Sequence, residues 1–214
     1  MLEILFRNQD FAAVNKPAGI AVHQEEGADN LLAMAAAWLN VPRLWLTHRL
    51  DKPTSGVLLL ALNAQAASEL AQQFAAKTMR KTYLALSDRR PAKKQGLVKG
   101  GMEKSRRGAW KLTRGDGANP AVTRFHSQSI APNLRLFVLQ PQTGKTHQLR
   151  VAMKSLGSPI LGDTLYGGTP ADRLFLHAWR LEFEYRGGFS VCAPLDGRWP
   201  SEIPGTFRTP AVGL

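Results

Sequence analysis

One cysteine, Cys192, in 214 residues excludes an intrachain disulfide, and the chain has neither a CxxC pair nor a His/Cys cluster of the kind that holds structural zinc. It therefore reads as a cytoplasmic, metal-free protein. Long apolar runs are also missing. The longest, Leu31 to Leu39 and Val57 to Leu62, fall well short of the ~20 residues a spanning helix needs, and the opening MLEILFRNQD puts charges where a signal peptide would be apolar. No membrane association is expected. Acidic residues are scarce, 16 against 28 Lys and Arg, for a formal net charge of +12. That balance points to a polyanionic partner. There is no internal repeat, heptad pattern or low-complexity tract. A chain of this length is expected to form one compact domain, 1–214, able to bury a substantial core.

Hydrophobic patterning places strands at Leu2 to Phe6 and Phe11 to Asn15, a hairpin ended by the Lys16-Pro17-Ala18-Gly19 turn. A helix capped by Asp29 or Asn30 runs to about Leu39. A second, capped by Asn63, turns Ala67, Leu70, Ala71 and Phe74 to one side. Further strands are expected at Lys81 to Ser87, Thr123 to Ala131, Asn133 to Leu139, Leu174 to Tyr185 and Phe189 to Ala193, the last two joined at Gly187-Gly188. The class is α+β, with a mixed, largely antiparallel sheet and flanking helices. The segment from Asp88 to Gly108 gathers Arg89, Arg90, Lys93, Lys94, Lys99, Lys104, Arg106 and Arg107 against only Asp88 and Glu103, and reads as a mobile basic insertion.

Two segments concentrate polar groups. In HRLDKPTSG, His48 to Gly56, Pro53 fixes its own backbone and biases Lys52 away from helix, and Gly56 ends the turn before the apolar strand. Asp51 thus sits at the mouth of a buried strand, where it serves either its own turn's amides or chemistry. Thr54 and Ser55 are expected to bond the turn's backbone. In QTGKTHQLRVAM, Gln142 to Met153, Thr146 is the expected cap of a helix whose Leu149, Ala152, Met153 and Leu156 face the core. His147, Arg150 and Lys154 then share the opposite face, either as a solvated cationic surface or as part of a site. The Gly-Lys-Thr here is not a phosphate loop, because the required upstream glycine is Leu139.

Taken together, HRLDKPTSGVLLLA, the Lys-Thr-Tyr of RKTYLAL, and TGKTHQLRV resemble, in order and spacing, the RluA-type pseudouridine synthases. NKPAGIAVH, SPILGDTLYGG and LFLHAWRLEF extend the resemblance over nearly the whole chain. It implies the pseudouridine synthase fold with a central catalytic cleft, and isomerisation of uridine in RNA with Asp51 as nucleophilic acid. It implies no cofactor, since the reaction exchanges a C1′–N1 bond for a C1′–C5 bond without redox change. A free carboxylate with pKa ~3.9 is ionised at neutral pH unless burial raises it. Arg150, matching the family's basic partner, is accordingly expected to pair with Asp51. By the same resemblance Tyr83 packs on the uracil and assists loss of the C5 proton, and Arg49 contacts RNA near the position the extruded base vacates. Leu149 is a candidate base-packing residue or ordinary core. His48 is a second RNA contact or an internal hydrogen-bonding group.

Lys145 stands where relatives usually have Arg, and Ala152 where they often have His, which bears on RNA affinity more than on catalysis. Many relatives carry an additional N-terminal RNA-binding domain. Here the first catalytic-domain strand begins within the opening residues, so RNA recognition is expected from the catalytic domain. Lys145, His147 and the basic segment, with Arg89, Arg90, Lys93, Lys94, Lys104, Arg106 and Arg107, are the candidate backbone contacts. A monomer acting on ribosomal or transfer RNA is the simplest expectation. Two alternatives differ in kind: a catalytically silent RNA-binding module of the same fold, and a ribonuclease using His48, His147 and Lys145.

Overall fold

The computed structural model describes residues 2–22, 31–113, 115, 119–209 and 211–213. The expected caps Asp29 and Asn30 lie outside the described residues. Two compact units are formed, one from Met1–Arg80, His177–Arg198 and Pro204–Leu214, the other from Lys81–Leu176 and Trp199–Ile203. The architecture is mixed α+β, with mostly antiparallel strand pairing and, among the described residues, three α-helices. None of these helices is long and apolar enough to cross a membrane.

In the first unit, β1 (Glu3–Arg7) and β2 (Phe11–Lys16) form the expected hairpin, and Asn8 Oδ1 closes the turn by accepting from the amides of Asp10 and Phe11. Helix α1 covers Leu31–Leu39. The two-residue β3 (Trp45–Leu46) and β2 both pair antiparallel with β4 (Ser55–Ala61), whose seven residues are all buried. A strand packed on both faces reads as an unbroken apolar run rather than an alternation, which is why Val57 to Leu62 shows no period. Helix α2 (Ala64–Ala76) is capped as expected, Asn63 Oδ1 accepting from the Ala66 amide at 2.8 Å. Its buried face is set by Ala66 and Leu70, with Ala67 and Phe74 flanking; Ala71 is exposed, so the apolar stripe lies further round the helix than expected. Those residues meet Phe11 and Ala13, Val57, Leu59 and Ala61, and alternate residues of the later strands in one core.

The second unit contains β5 (Arg80–Ser87, its first residue in the other unit), β6 (Gln95–Lys104), β7 (Trp110–Thr113), β8 (Ala121–Ala131), β9 (Leu134–Pro141) and helix α3 (Gln148–Ser155). The strands run in the order β5-β9-β8-β6-β7, all antiparallel. The basic segment is therefore not a loop insertion as expected. About half of it is strand, because Gln95–Gly100 pair with β8 and Gly101–Lys104 pair with β7, and its polar side chains are those of a sheet surface. A 3₁₀ turn at Arg106–Gly108 joins β6 to β7.

The chain then returns to the first unit through β10 (Leu176–Glu184), β11 (Gly188–Cys192) and β12 (Ala211–Gly213). The β10–β11 turn is made by Tyr185, Arg186 and Gly187, with Arg186 and Gly187 at positive φ. Beside β4, the first residues of β10 run parallel, pairing Ala178 with Gly56. At φ +115°, Gly56 holds a backbone that other residues rarely adopt, and a Cβ there would collide with the Ala178 carbonyl. Gly56→Ala is expected to cost more than the ~1–3 kcal/mol of backbone strain alone, read as a lower urea midpoint. An unchanged midpoint would show that β4 and β10 separate at no cost.

Candidate active site

In the first unit the Asp51 turn is held from several directions. The Thr54 amide donates to the Asp51 carbonyl at 2.9 Å, closing a four-residue turn. The Lys52 carbonyl accepts from the Gly19 amide at 2.9 Å and from the ammonium of fully buried Lys16 at 3.0 Å. Lys16 also donates to the Pro17 carbonyl at 2.9 Å, so the KPAG turn and the Asp51 turn share one cation. Just upstream, Thr47 Oγ1 donates to the Leu59 carbonyl at 2.8 Å and the Leu59 amide donates to His48 Nε2 at 3.0 Å. Two side chains thus continue the β3–β4 ladder after its backbone pairing ends. His48 stacks on Phe74 with ring centroids 4.3 Å apart. Of the two roles expected for His48, the internal hydrogen bond is present, and it requires the imidazole proton on Nδ1.

Ser55 Oγ bonds His177 Nδ1 at 2.8 Å, a partner 122 positions away. His177 Nε2 lies 3.1 Å from the Ala193 carbonyl, which only accepts, so that nitrogen carries the proton and Ser55 is the donor to Nδ1. Both side chains are buried. This pair ties the strand that follows Asp51 to β10 and the end of β11. Asp51 itself is half-buried and Arg49 is exposed, the one placed for rigidity and the other within reach of solvent.

In the second unit, Tyr83 is half-buried on β5 opposite Leu139 of β9. Lys81 lies two residues earlier on the same strand face and donates to the Thr143 carbonyl at 3.3 Å. Burial holds the Lys81 amine below its ordinary value near 10.5. The unfolded chain therefore binds that proton more tightly, and the stability this group contributes is full above 10.5 and lost as pH falls through the folded-state value. Lys81→Met is expected to raise stability at neutral pH, with a gain that shrinks toward pH 10.5. Denaturant midpoints of both chains across that range test it; a pH-independent difference would assign the effect to packing.

Helix α3 begins one residue later than expected. Thr146 is exposed, and His147 occupies the N-cap at φ 57°, ψ 16° without a side-chain capping bond. The first turn is fixed instead by Gln148, whose Oε1 accepts from Thr143 Oγ1 at 2.7 Å and the Lys145 amide at 3.0 Å. A second correction concerns Arg150: every residue from Gln148 to Met153 is buried, so this stretch of the helix is enclosed all round and Arg150 lies inside rather than on a solvated cationic face, while Lys154 is exposed. Arg150 Nε and Nη2 donate to Asp163 Oδ2 and Oδ1 at 2.8 and 2.7 Å, a bidentate pair with side-chain exposures of 9% and 1%. Two of the five guanidinium donors are thereby engaged. Sequence reading did not single out Asp163, although it lies inside SPILGDTLYGG. Gly162 before it, at φ +84°, would drive a Cβ into the Arg173 carbonyl. The Leu161 amide bonds the Leu86 carbonyl at 2.8 Å, which docks the Asp163 loop on β5. Leu149 is buried at 7% exposure.

Lys145 and His147 are half-buried, and Arg89, Arg90, Lys93, Lys94, Lys104, Arg106 and Arg107 are all exposed. Among the described residues, no group of three or more His, Cys, Asp or Glu side chains could hold a metal ion.

The architecture matches solved pseudouridine synthase domains. Human RNA pseudouridylate synthase domain containing 1 superposes with a TM-score of 0.77 at 26% identity, over 100% of this chain and 90% of that one. The sequence agrees with the fold: residues 10–155 match the RNA pseudouridylate synthase family, and the chain belongs to that family. It is 54% identical over 202 residues to an uncharacterised RNA pseudouridine synthase of Haemophilus influenzae, covering 92% of this chain and 90% of the relative. It is 34% identical to tRNA pseudouridine synthase C of Haemophilus ducreyi, covering 92% and 93%. A ribosomal large subunit pseudouridine synthase C of Rickettsia bellii is 37% identical, with 82% of this chain covering 61% of that protein. The chain is accordingly an RNA pseudouridine synthase, an isomerase.

Proposed function

We propose that residues 1–214 act as one catalytic domain, a cytoplasmic monomer that isomerises uridine in structured ribosomal or transfer RNA, with Asp51 as the nucleophilic acid. The observation that carries this reading is that the family match, residues 10–155, takes in Asp51, Tyr83 and Arg150 together. Asp51 stands on a turn held by buried Lys16 and the Gly19 amide, as a group that must meet a sugar carbon in one geometry should be. Its carboxylate attacks C1′ or removes a sugar proton. The C1′–N1 bond breaks, the uracil turns, C5 bonds to C1′, C5 loses its proton and N1 gains one. Atoms balance with no cofactor. Tyr83 packs on the uracil and assists the C5 proton's departure, and Arg150 supplies fixed positive charge. Relatives named for tRNA and for the large ribosomal subunit make both RNAs candidate substrates.

Exposed Arg49 contacts RNA beside the vacated base position, with Lys145 and His147 as further contacts. The cations along β6 and its turn bind the phosphate backbone. Each neutralised phosphate contributes roughly −0.7 to −0.9 to the slope of log affinity against log salt. Replacing Lys104, Arg106 and Arg107 by Ala is expected to flatten that slope by about 2 to 3. An unchanged slope in filter-binding titrations would remove this turn from the interface.

Site-resolved pseudouridine mapping in cells with and without the protein tests the reaction. A uridine modified only when the protein is present supports the proposal and names the substrate. No change under conditions of demonstrated expression favours the silent binding module. A ribonuclease would need a free base at His48, whose Nε2 lone pair instead accepts the Leu59 amide.

A further inference from the structure

Tyr166 is 2% exposed and is used by nothing in the reaction described so far, yet several groups of the second unit converge on it. Its ring lies under the Arg150 guanidinium, 4.9 Å from centroid to Cζ, and Lys154 Nζ approaches the same ring at 5.9 Å. Its hydroxyl accepts from the Trp110 amide at 2.9 Å and lies 2.8 Å from His147 Nδ1. The Trp110 amide can only donate. The phenol oxygen keeps a second lone pair and its own proton, so it bonds Nδ1 in either imidazole tautomer. Trp110 is the first residue of β7, paired with Lys104 across the hairpin and separated from it only by the basic Ser105–Ala109 turn, itself closed by the Ser105 amide on the Ala109 carbonyl at 2.7 Å. Asp163, which grips Arg150, also accepts through its carbonyl from the Tyr166 amide at 3.1 Å and the Gly168 amide at 2.8 Å.

We propose that Tyr166 is a positioning residue that makes isomerisation depend on RNA held at the basic turn: its ring fixes the Arg150 guanidinium, and its hydroxyl fixes the end of the hairpin and the N-cap of α3. The inference rests on the isomerase reading above. RNA seated on Lys104, Arg106 and Arg107 stiffens a segment whose next strand residue is bonded to that phenol. The same aromatic group then holds the catalytic guanidinium in place. A ring that only filled space would need neither bond of its hydroxyl.

The test uses total RNA from cells lacking the protein, labelled with tritium at uridine C5, since isomerisation releases that hydrogen. Tyr166→Phe keeps the ring and removes both hydroxyl bonds. Its dissociation constant for this RNA is expected to rise less than about threefold, while single-turnover tritium release at saturating RNA falls roughly tenfold or more. Arg106→Ala is expected to slow release in the wild-type background and to add nothing in the Tyr166→Phe background, because the connection is already broken. His147→Gly, at a half-exposed position whose left-handed backbone glycine adopts freely, removes the imidazole and provides a second variant should Tyr166→Phe not fold, and is expected to slow release likewise. Full-rate release by the folded variants, or multiplicative effects of Arg106→Ala and Tyr166→Phe, would overturn the inference while leaving the isomerase reading intact. A wild-type chain that releases no tritium would instead overturn the isomerase reading, and this inference with it.

Discussion

Asp51→Asn is expected to lower pseudouridine formation by about 10,000-fold or more while RNA affinity stays within a few-fold of wild type. Amide for carboxylate preserves shape but removes the charge that, in the proposed role, attacks or deprotonates the sugar, and loss of a reacting group has effects of at least this order in other enzymes. Stability should change little, because the turn is held by the Thr54 amide on the Asp51 carbonyl and by Lys16 and Gly19 on the Lys52 carbonyl, all backbone acceptors that the substitution keeps. Single-turnover assays and filter binding with the same RNA separate the two effects. Appreciable residual turnover would transfer the nucleophile's role to another group.

The second large effect concerns Asp163. Removing its carboxylate by Asp163→Ala leaves the Arg150 charge buried without its bidentate partner, a loss that typically costs about 3–5 kcal/mol. A urea midpoint should register it, and activity per folded molecule should collapse because the guanidinium is no longer held. Replacing both partners, Arg150→Met with Asp163→Leu, is expected to recover most of the stability, since well-packed apolar side chains often match a buried ion pair. Activity should not return. A double variant that isomerises RNA would show that Arg150 serves the fold and not the reaction.

Short-range signals were legible where they are local. Asn63 caps α2 because its side chain needs only the amide three residues on, and the β1–β2 hairpin follows from apolar runs flanking a polar turn. The basic segment was misread for the opposite reason. Nothing within Asp88 to Gly108 announces that β8 will supply a ladder to Gln95–Gly100 and β7 one to Gly101–Lys104, so its strand character depends on residues outside it, for the β8 ladder more than twenty positions away. The α3 boundary differs by one residue because His147 occupies the N-cap without a side-chain bond, while Gln148 organises the preceding turn by accepting from Thr143 Oγ1 and the Lys145 amide. Arg150 lies inward because the whole run from Gln148 to Met153 is covered, which no helical period in the sequence signals.

The sequence by itself determined the family and its chemistry: HRLD, KTY and THQLR carry a carboxylate, a phenol and a guanidinium in an order and spacing that motif reading recovers without coordinates. It also determined the polyanionic partner, since net charge is a sum over residues and needs no geometry. Only the tertiary structure decided which groups hold these in place. Asp163 for Arg150, His177 for Ser55, Leu59 for His48, and Tyr166 between the basic turn and α3 are partners separated by between 11 and 122 positions, or gathered from three segments at once. Hydrogen-bond and ion-pair assignments of this kind depend on distances of about 3 Å, and such distances are set by packing of distant strands and loops rather than by any local preference of the chain.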